Sequence, residues 1–498
     1  MKYIGSIDQG TTSTRFIIFN EHGEIVALHQ MEHKQIYPQP GWVEHDPEEI
    51  WTNTCKCIEQ TLNKAGLKAT DISAIGITNQ RETITAWNPT TGEVYHNSIV
   101  WQDLRGSSLI ESLKDRGKEN QIQRTTGLIP SPYFSASKIT WLLKNVLGLA
   151  DKMANGEVVF GTIDCYLVYK LTGGKSIVTD ATNASRYMLM DIQTLEWDSS
   201  LLKLFGVKKK ALPRIAASTG EIYGHTVTDG PFHAEIPVCG ILGDQQAALF
   251  GQACFNPGQA KCTYGTGCFL LENTGNKLCR STSGLLTTVA YKAAGQAPVY
   301  ALEGSIAVAG SLVQWARDNL KIVASPQELD EAASEVDNCG GVYVVPAFSG
   351  LFAPYWRSDA RGIIAGLTGF ATRNHICRAI LESTAFQAYD IFKAIESDSR
   401  VRMTELKVDG GLTNSTPLME FQADVLRVPV IRPKVIETTA LGAAYAAGLT
   451  VGIFKSTKEL ETQWKEDRRY VMSMDEKTVV RKIHYWKKAV EKTLGWVE

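Results

Sequence analysis

Two segments of this 498-residue chain set Gly and hydroxyl residues between apolar runs, the pattern of a hairpin whose tip presents donors to phosphate oxygens. The first runs Ile4-Gly5-Ser6-Ile7-Asp8-Gln9-Gly10-Thr11-Thr12-Ser13-Thr14-Arg15-Phe16-Ile17-Ile18. Thr11, Thr12 and Ser13 would supply hydroxyls and backbone N–H groups, and Arg15 could add charge. The second runs Thr263-Tyr264-Gly265-Thr266-Gly267-Cys268-Phe269-Leu270-Leu271, with Thr266 between two glycines. Each turn alone would also serve as a plain hairpin, because Gly and Thr are ordinary turn residues. Together they point to a nucleotide held between two similar domains. A carboxylate, Asp244, ends the short apolar run Gly240-Ile241-Leu242-Gly243 and precedes an Ala-rich helix, where its bland role is that of an N-cap. The adjacent Arg81 and Glu82 follow another apolar run, Ile72 to Thr78; their bland role is a surface ion pair with other partners.

The elements that must position these residues alternate strands with helices, which is the α/β pattern. Asp46-Pro47-Glu48-Glu49 has a capping Asp, Pro at the first helical position and an early Glu, so it predicts a helix running through about Leu62. Ile99-Val100-Trp101 reads as a strand before Gln102-Asp103-Leu104-Arg105. Polar clusters thus fall at strand ends, where ligands bind in open α/β sheets. Val408-Asp409-Gly410-Gly411 repeats the order of strand, Asp, glycines and helix, and the domain junction falls after Gly251, giving domains 1–252 and 253–498. Thr438 to Phe454 is uncharged and rich in Ala and Gly but too short to span a membrane, so it predicts a buried helix. The charged tail from about Ser456 is expected to be helical.

Composition narrows the partners. With 51 basic and 53 acidic residues and no basic block, the chain lacks the footprint of a nucleic-acid binder. A small partner, anionic or neutral, fits better. No basic n-region with a cleavable apolar stretch opens the chain, and the expected location is cytoplasmic. The ten cysteines are scattered; Cys55 and Cys57, two apart on the predicted helix, diverge, so buried reduced thiols are expected rather than a metal site.

Five motifs in order, Asp8-Gln9-Gly10-Thr11-Thr12-Ser13, Asn79-Gln80-Arg81-Glu82, Tyr133 through Trp141, Gly243-Asp244-Gln245-Gln246 and Gly362 through Gln387, resemble those of the FGGY carbohydrate kinases, and among them the glycerol kinases. The resemblance runs nearly end to end. It implies two actin-like ATPase (ribonuclease H-like) domains flanking a cleft, and ATP-dependent phosphorylation of glycerol with Mg²⁺. It implies Asp244 as catalytic base, since phosphoryl transfer needs a group that orients the attacking hydroxyl and accepts its proton. Arg81, Glu82, Trp101, Tyr133, Gln245 and Phe269 would join Asp244 in binding the polyol. Thr11, Thr12, Ser13, Arg15 and Thr266 would hold phosphates; Gly310, Gln314, Gly411 and Ser415 would form the adenosine pocket. Asp8 would hold Mg²⁺, in part through water. A homodimer or homotetramer follows by family analogy.

Two departures stand out. The Asn that glycerol kinases carry after the Gly-Gly of the adenosine motif aligns with Ser415. Some bacterial members bind fructose 1,6-bisphosphate through an Arg just before the segment that here reads Ile236-Pro237-Val238; Glu235 would repel a phosphate, so that site is expected to be absent. His233 lies near the place where other members are phosphorylated on a His, at a spacing that does not match. The rival functions are phosphorylation of another sugar such as a ketopentose, a nucleotide-dependent interaction module that turns over ATP without an acceptor, and a nucleotide sensor without catalysis.

Overall fold

The computed structural model describes residues 1–497. Two twisted sheets with the same internal order organise the chain. The first runs Gly224–His225, Pro237–Gly243, Ile72–Asn79, Tyr3–Gln9, Ser13–Asn20, Ile25–Glu32. Tyr3–Gln9 pairs antiparallel with Ser13–Asn20 and parallel with Ile72–Asn79, which in turn pairs parallel with Pro237–Gly243. The second runs Leu286–Tyr291, Val299–Ile306, Cys268–Gly275, Ala260–Tyr264, Leu406–Asp409, Val430–Pro433, Glu466–Tyr470. Here the hairpin Ala260–Tyr264 and Cys268–Gly275 occupies the place of the first hairpin, and Leu406–Asp409 is its parallel neighbour.

Parallel pairing aligns the carboxyl ends of the strands. Gln9 sits opposite Asn79, and Asn79 opposite Gly243, so Asp8, the Gln80-Arg81-Glu82 turn and Asp244 emerge from one edge. On the second sheet Thr263 sits opposite Asp409, which brings the second Gly/Thr turn beside Gly410 and Gly411.

The helix after Asp46 spans Pro47–Ala65; the Asp46 carboxylate accepts from the Glu48 N–H at 2.9 Å, and Gly66 ends the helix at φ 65°. Cys57 is buried in it, and all ten cysteines are free thiols. The strand expected over Ile99–Trp101 ends earlier: it is Val94–Ile99, and Val100 and Trp101 begin a turn that Asp103 and Arg105 pin. Asp103 accepts from the Val43 N–H and from Arg105, whose guanidinium is stacked between Trp42 and Trp141. The tail contains one element that charge concealed. Glu466–Tyr470 is an edge strand antiparallel to Val430–Pro433, with its first four side chains exposed, as edge strands tolerate.

The Ala/Gly-rich segment forms the buried helix Thr438–Thr450, which lies on the first sheet although it belongs to the second half of the sequence. Ser6 donates to the Ala440 carbonyl at 2.8 Å and Thr219 to that of Ala446 at 2.7 Å. Small residues are required because backbones meet: a Cβ on Gly76 would stand 2.3 Å from the Ala443 oxygen, and one on Gly442 would stand 1.9 Å from the Ala247 oxygen. Ala247 lies in the helix Asp244–Gly251, so this crossing helix braces the element that opens with Asp244. Among the described residues no helix is long and apolar enough to cross a membrane.

Candidate active site

The first Gly/Thr turn is a tight hairpin closed by the Gly10 N–H on the Ser13 carbonyl at 2.9 Å. Thr12 is exposed at its tip, and the Thr11 hydroxyl accepts from Trp101 Nε1 at 2.9 Å. In the second turn, Gly265 donates to the Gly267 carbonyl, and the start of the helix Gly310–Asp318 closes on it: Gly310 donates to the Gly265 carbonyl at 3.0 Å and Ser311 to that of Thr266 at 3.1 Å. Thr266 is exposed, and Gln314 is exposed one turn along that helix. Gly410 must be glycine, since its φ is 90° and a Cβ would lie 2.5 Å from the Tyr264 oxygen; beside Gly411 there is open space.

The Arg81-Glu82 segment forms a strained turn. Glu82 has φ 63°, a left-handed backbone that a buried Glu adopts only where its surroundings enforce it. Arg81 and Glu82 are both buried at this turn. Arg81 Nε lies 2.9 Å from Asp244 Oδ1, and its two terminal nitrogens donate to the Glu303 carboxylate at 2.6 and 3.0 Å. Arg186 Nε donates to Glu82 at 2.5 Å and the same guanidinium reaches Glu303 at 3.4 Å. Two cations and three carboxylates thus form one network, and Asp244, half-buried, is its most accessible corner. Burial opposes the Glu303 charge, but Arg186 and Arg81 outweigh it and hold the pKa at about 2. For Glu82 burial wins over the same arginines and raises it above the usual carboxylate range.

Asp244 opens the helix Asp244–Gly251, with Gly243 in the capping position, so the bland N-cap role does not describe it. Its Oδ1 accepts from the Gln245 N–H at 2.7 Å and faces Arg81, whereas Oδ2 accepts no hydrogen bond from any described residue. The Gln245 side chain accepts from Lys261 Nζ at 2.5 Å, a contact from the second sheet. Tyr133 stands edge-on to Trp101 with ring centroids 5.4 Å apart, and the Arg186 guanidinium lies 5.5 Å from its ring. Burial, with Glu82 behind it, raises the Tyr133 phenol above its ordinary value, leaving it a hydroxyl donor at neutral pH. Phe269 is half-buried on the strand Cys268–Gly275, opposite Ser305.

Two expected residues are engaged elsewhere. Arg15 pairs with Glu437 at 2.8 Å and stands 3.8 Å from Asp8, so its charge is shared with carboxylates. Ser415 is buried; its hydroxyl donates to Asp330 at 2.6 Å and caps the helix Thr416–Leu426, which takes that hydroxyl away from a base. Arg186 and Glu303 escaped the sequence reading. Arg186 ends the polar run Thr179-Asp180-Ala181-Thr182-Asn183-Ala184-Ser185, which lacks the Gly and Pro of a surface loop and is wholly buried. A Glu in the apolar strand Val299–Ile306 was the other available signal.

Both halves of the chain find counterparts in known proteins. Residues 3–251 match the N-terminal domain, and 260–451 the C-terminal domain, of the FGGY family of carbohydrate kinases. The chain belongs to the FGGY family of carbohydrate kinases. It is 55% identical to a glycerol kinase of Pseudarthrobacter chlorophenolicus, covering 100% of this chain and 99% of that one. It is 54% identical to a glycerol kinase of Brucella anthropi, covering 100% of both. In structure it is similar to Plasmodium falciparum glycerol kinase with ADP, with TM-score 0.93, 42% identity and coverage of 99% and 98%. A xylulose kinase from Lactobacillus acidophilus, at 23% identity and TM-score 0.86, shares the FGGY fold.

Proposed function

We propose that this chain is a glycerol kinase, transferring the γ-phosphoryl group of ATP to a terminal hydroxyl of glycerol to give sn-glycerol 3-phosphate and ADP. The observation that carries the reading is Asp244: a carboxylate anchored through Oδ1, with Oδ2 free, between two phosphate turns and the Arg81, Glu82, Trp101 and Tyr133 cluster. Full-length identity of 53 to 55% with several glycerol kinases supports the acceptor.

Glycerol would lie with its carbons against Trp101 and Phe269 and its hydroxyls on Arg81, Glu82 and Tyr133, an arrangement of walls and donors suited to a small polyol. Asp244 Oδ2 takes the proton of the attacking hydroxyl as that oxygen bonds to the γ-phosphorus, and the bond to the bridging oxygen breaks to release ADP. Thr11, Thr12, Ser13 and Thr266 donate to the phosphates, with Gly310, Gln314 and Gly411 along the nucleoside. Asp8 fits a magnesium ion: burial, Glu437 and Asp244 raise its pKa to about 6 against the Arg15 guanidinium 3.8 Å away, so a cation there would favour its charged form. Held there, it would screen phosphate charge. Domains at 1–252 and 253–498, a homodimer or homotetramer and a cytoplasmic location belong to the same proposal.

Initial-rate ADP release with MgATP, compared across no acceptor, glycerol, ketopentoses and other polyols, tests it. Glycerol raising the rate by orders of magnitude is the expected result. A sugar that outperforms glycerol, or equal release without acceptor, would overturn it. Asp244→Asn should lower kcat by about 10³ or more while the fold persists.

A further inference from the structure

Arginine and carboxylate pair most strongly through two parallel N–H···O bonds. Arg81 does not pair that way with Asp244, although Nε is only 2.9 Å from Oδ1. Both terminal nitrogens of the guanidinium are held end-on by Glu303, at 2.6 and 3.0 Å, and Glu303 is itself buried and steadied by Arg186 at 3.3 Å. Anchored at that end, the guanidinium cannot slide along Asp244 to engage a second oxygen. Gln246 Oε1 adds a weaker restraint on the same nitrogen at 3.2 Å.

We propose that Glu303 is a positioning residue for the base: by taking both terminal nitrogens of Arg81, it restricts the arginine to one oxygen of Asp244 and leaves Oδ2 free for the acceptor hydroxyl. Glu303 lies on the strand Val299–Ile306 of the second sheet, while Arg81 and Asp244 lie at the edge of the first. The second half of the chain therefore contributes to the acceptor side as well as to the nucleotide side. The inference rests on Asp244 acting as base in the proposed reaction.

The test is Glu303→Gln in the full-length protein. The network holds Arg81 and Arg186 against Glu82, Glu303 and Asp244, so the change leaves two cations facing two carboxylates and does not strand a charge. With the arginine released onto both oxygens of Asp244, kcat with glycerol should fall about 100-fold while the KM for ATP changes by less than about 2-fold. In an Arg81→Ala background the same substitution should produce no further loss of kcat, because its route of action is gone. A crystal structure of E303Q should show two nitrogens of Arg81 on Asp244. Unchanged kcat, a full additional loss in the Arg81→Ala background, or Arg81 still on one oxygen in the crystal would each overturn the inference. If E303Q does not fold, Glu303→Asp keeps the charge but is one methylene shorter; an intermediate kcat is expected, and wild-type kcat would overturn it. Failure of the parent protein to phosphorylate glycerol would sink the functional reading instead, and the crystal result on Arg81 would still decide the positioning claim.

Discussion

The indole Nε1 of Trp101 donates to the Thr11 hydroxyl across 2.9 Å, joining a wall of the proposed polyol pocket to the first phosphate turn. The bond fixes the ring plane against Tyr133 and also decides which way the Thr11 hydroxyl proton points, since the oxygen accepts from the indole and can donate onward. In the proposed reaction one side chain would thus serve both substrates. Trp101→Phe keeps an aromatic wall and removes only the donor. Loss of one such bond is worth about 1 kcal/mol, so kcat/KM should fall about 5-fold for glycerol and for ATP alike. A change confined to glycerol in initial-rate measurements would show that the link does not couple the two sites.

Ser415 separates a structural role from a binding role. Its hydroxyl serves the cap of the helix Thr416–Leu426 and Asp330, whose carboxyl burial raises above its ordinary value. Ser415→Ala should lower stability by about 1 kcal/mol in urea unfolding, the usual cost of losing a cap. The KM for ATP should be unchanged. A marked rise in that KM with intact stability would return Ser415 to the adenosine pocket.

Much of the site was legible because strand-end chemistry is local. The Gly/Thr turns, Asp8, Asp244 and Arg81-Glu82 each sit where an apolar run stops, and parallel registers carry those ends to one edge whatever lies between them. What stayed hidden is non-local. Glu303 reads as an odd charge in a strand until Arg81 and Arg186 approach it across more than 100 residues of chain. The left-handed backbone at Glu82 is imposed by its surroundings; nothing in the dipeptide asks for it. The edge strand Glu466–Tyr470 was masked because exposed charged residues carry no alternation to see. The Ala/Gly richness of Thr438–Thr450 was visible as a buried helix, but which sheet it covers depends on backbones meeting at Gly76 and Gly442.

That contact makes Gly442 a remote control on Asp244, the proposed base. Adding a methyl there would push against the Ala247 carbonyl, which is backbone of the helix that opens with Asp244 and cannot step aside like a flexible side chain. Gly442→Ala should therefore cost about 1–3 kcal/mol as an overpacked core substitution. It should also lower kcat more than it raises either KM, because the displaced element carries Asp244. Stability and kcat are measured on the same preparation; a destabilised variant with wild-type kcat would mean the crossing helix is a brace for the fold alone.

Asp390 links three parts of the second half. It lies on the long helix Arg373–Ser399 and accepts from Tyr355 at 2.9 Å and from Trp486, on the helix Glu476–Glu491, at 2.7 Å. Burial raises its pKa to about 6 even though both donors favour the charged form. The folded protein then binds a proton more tightly than the unfolded chain, whose Asp titrates near 3.8. Between those values the native state holds the extra proton, so stability falls as pH rises from about 4 to about 6 and is flat above. The contribution lost is about 3 kcal/mol, from a shift of about two pH units. Asp390→Asn keeps an acceptor for Tyr355 and Trp486 and cannot ionise. Relative to the parent protein it should gain stability progressively over that interval and keep the gain at neutral pH, measured by urea unfolding at half-unit steps. A constant difference between the two proteins from pH 4 to 7 would show that Asp390 does not titrate there.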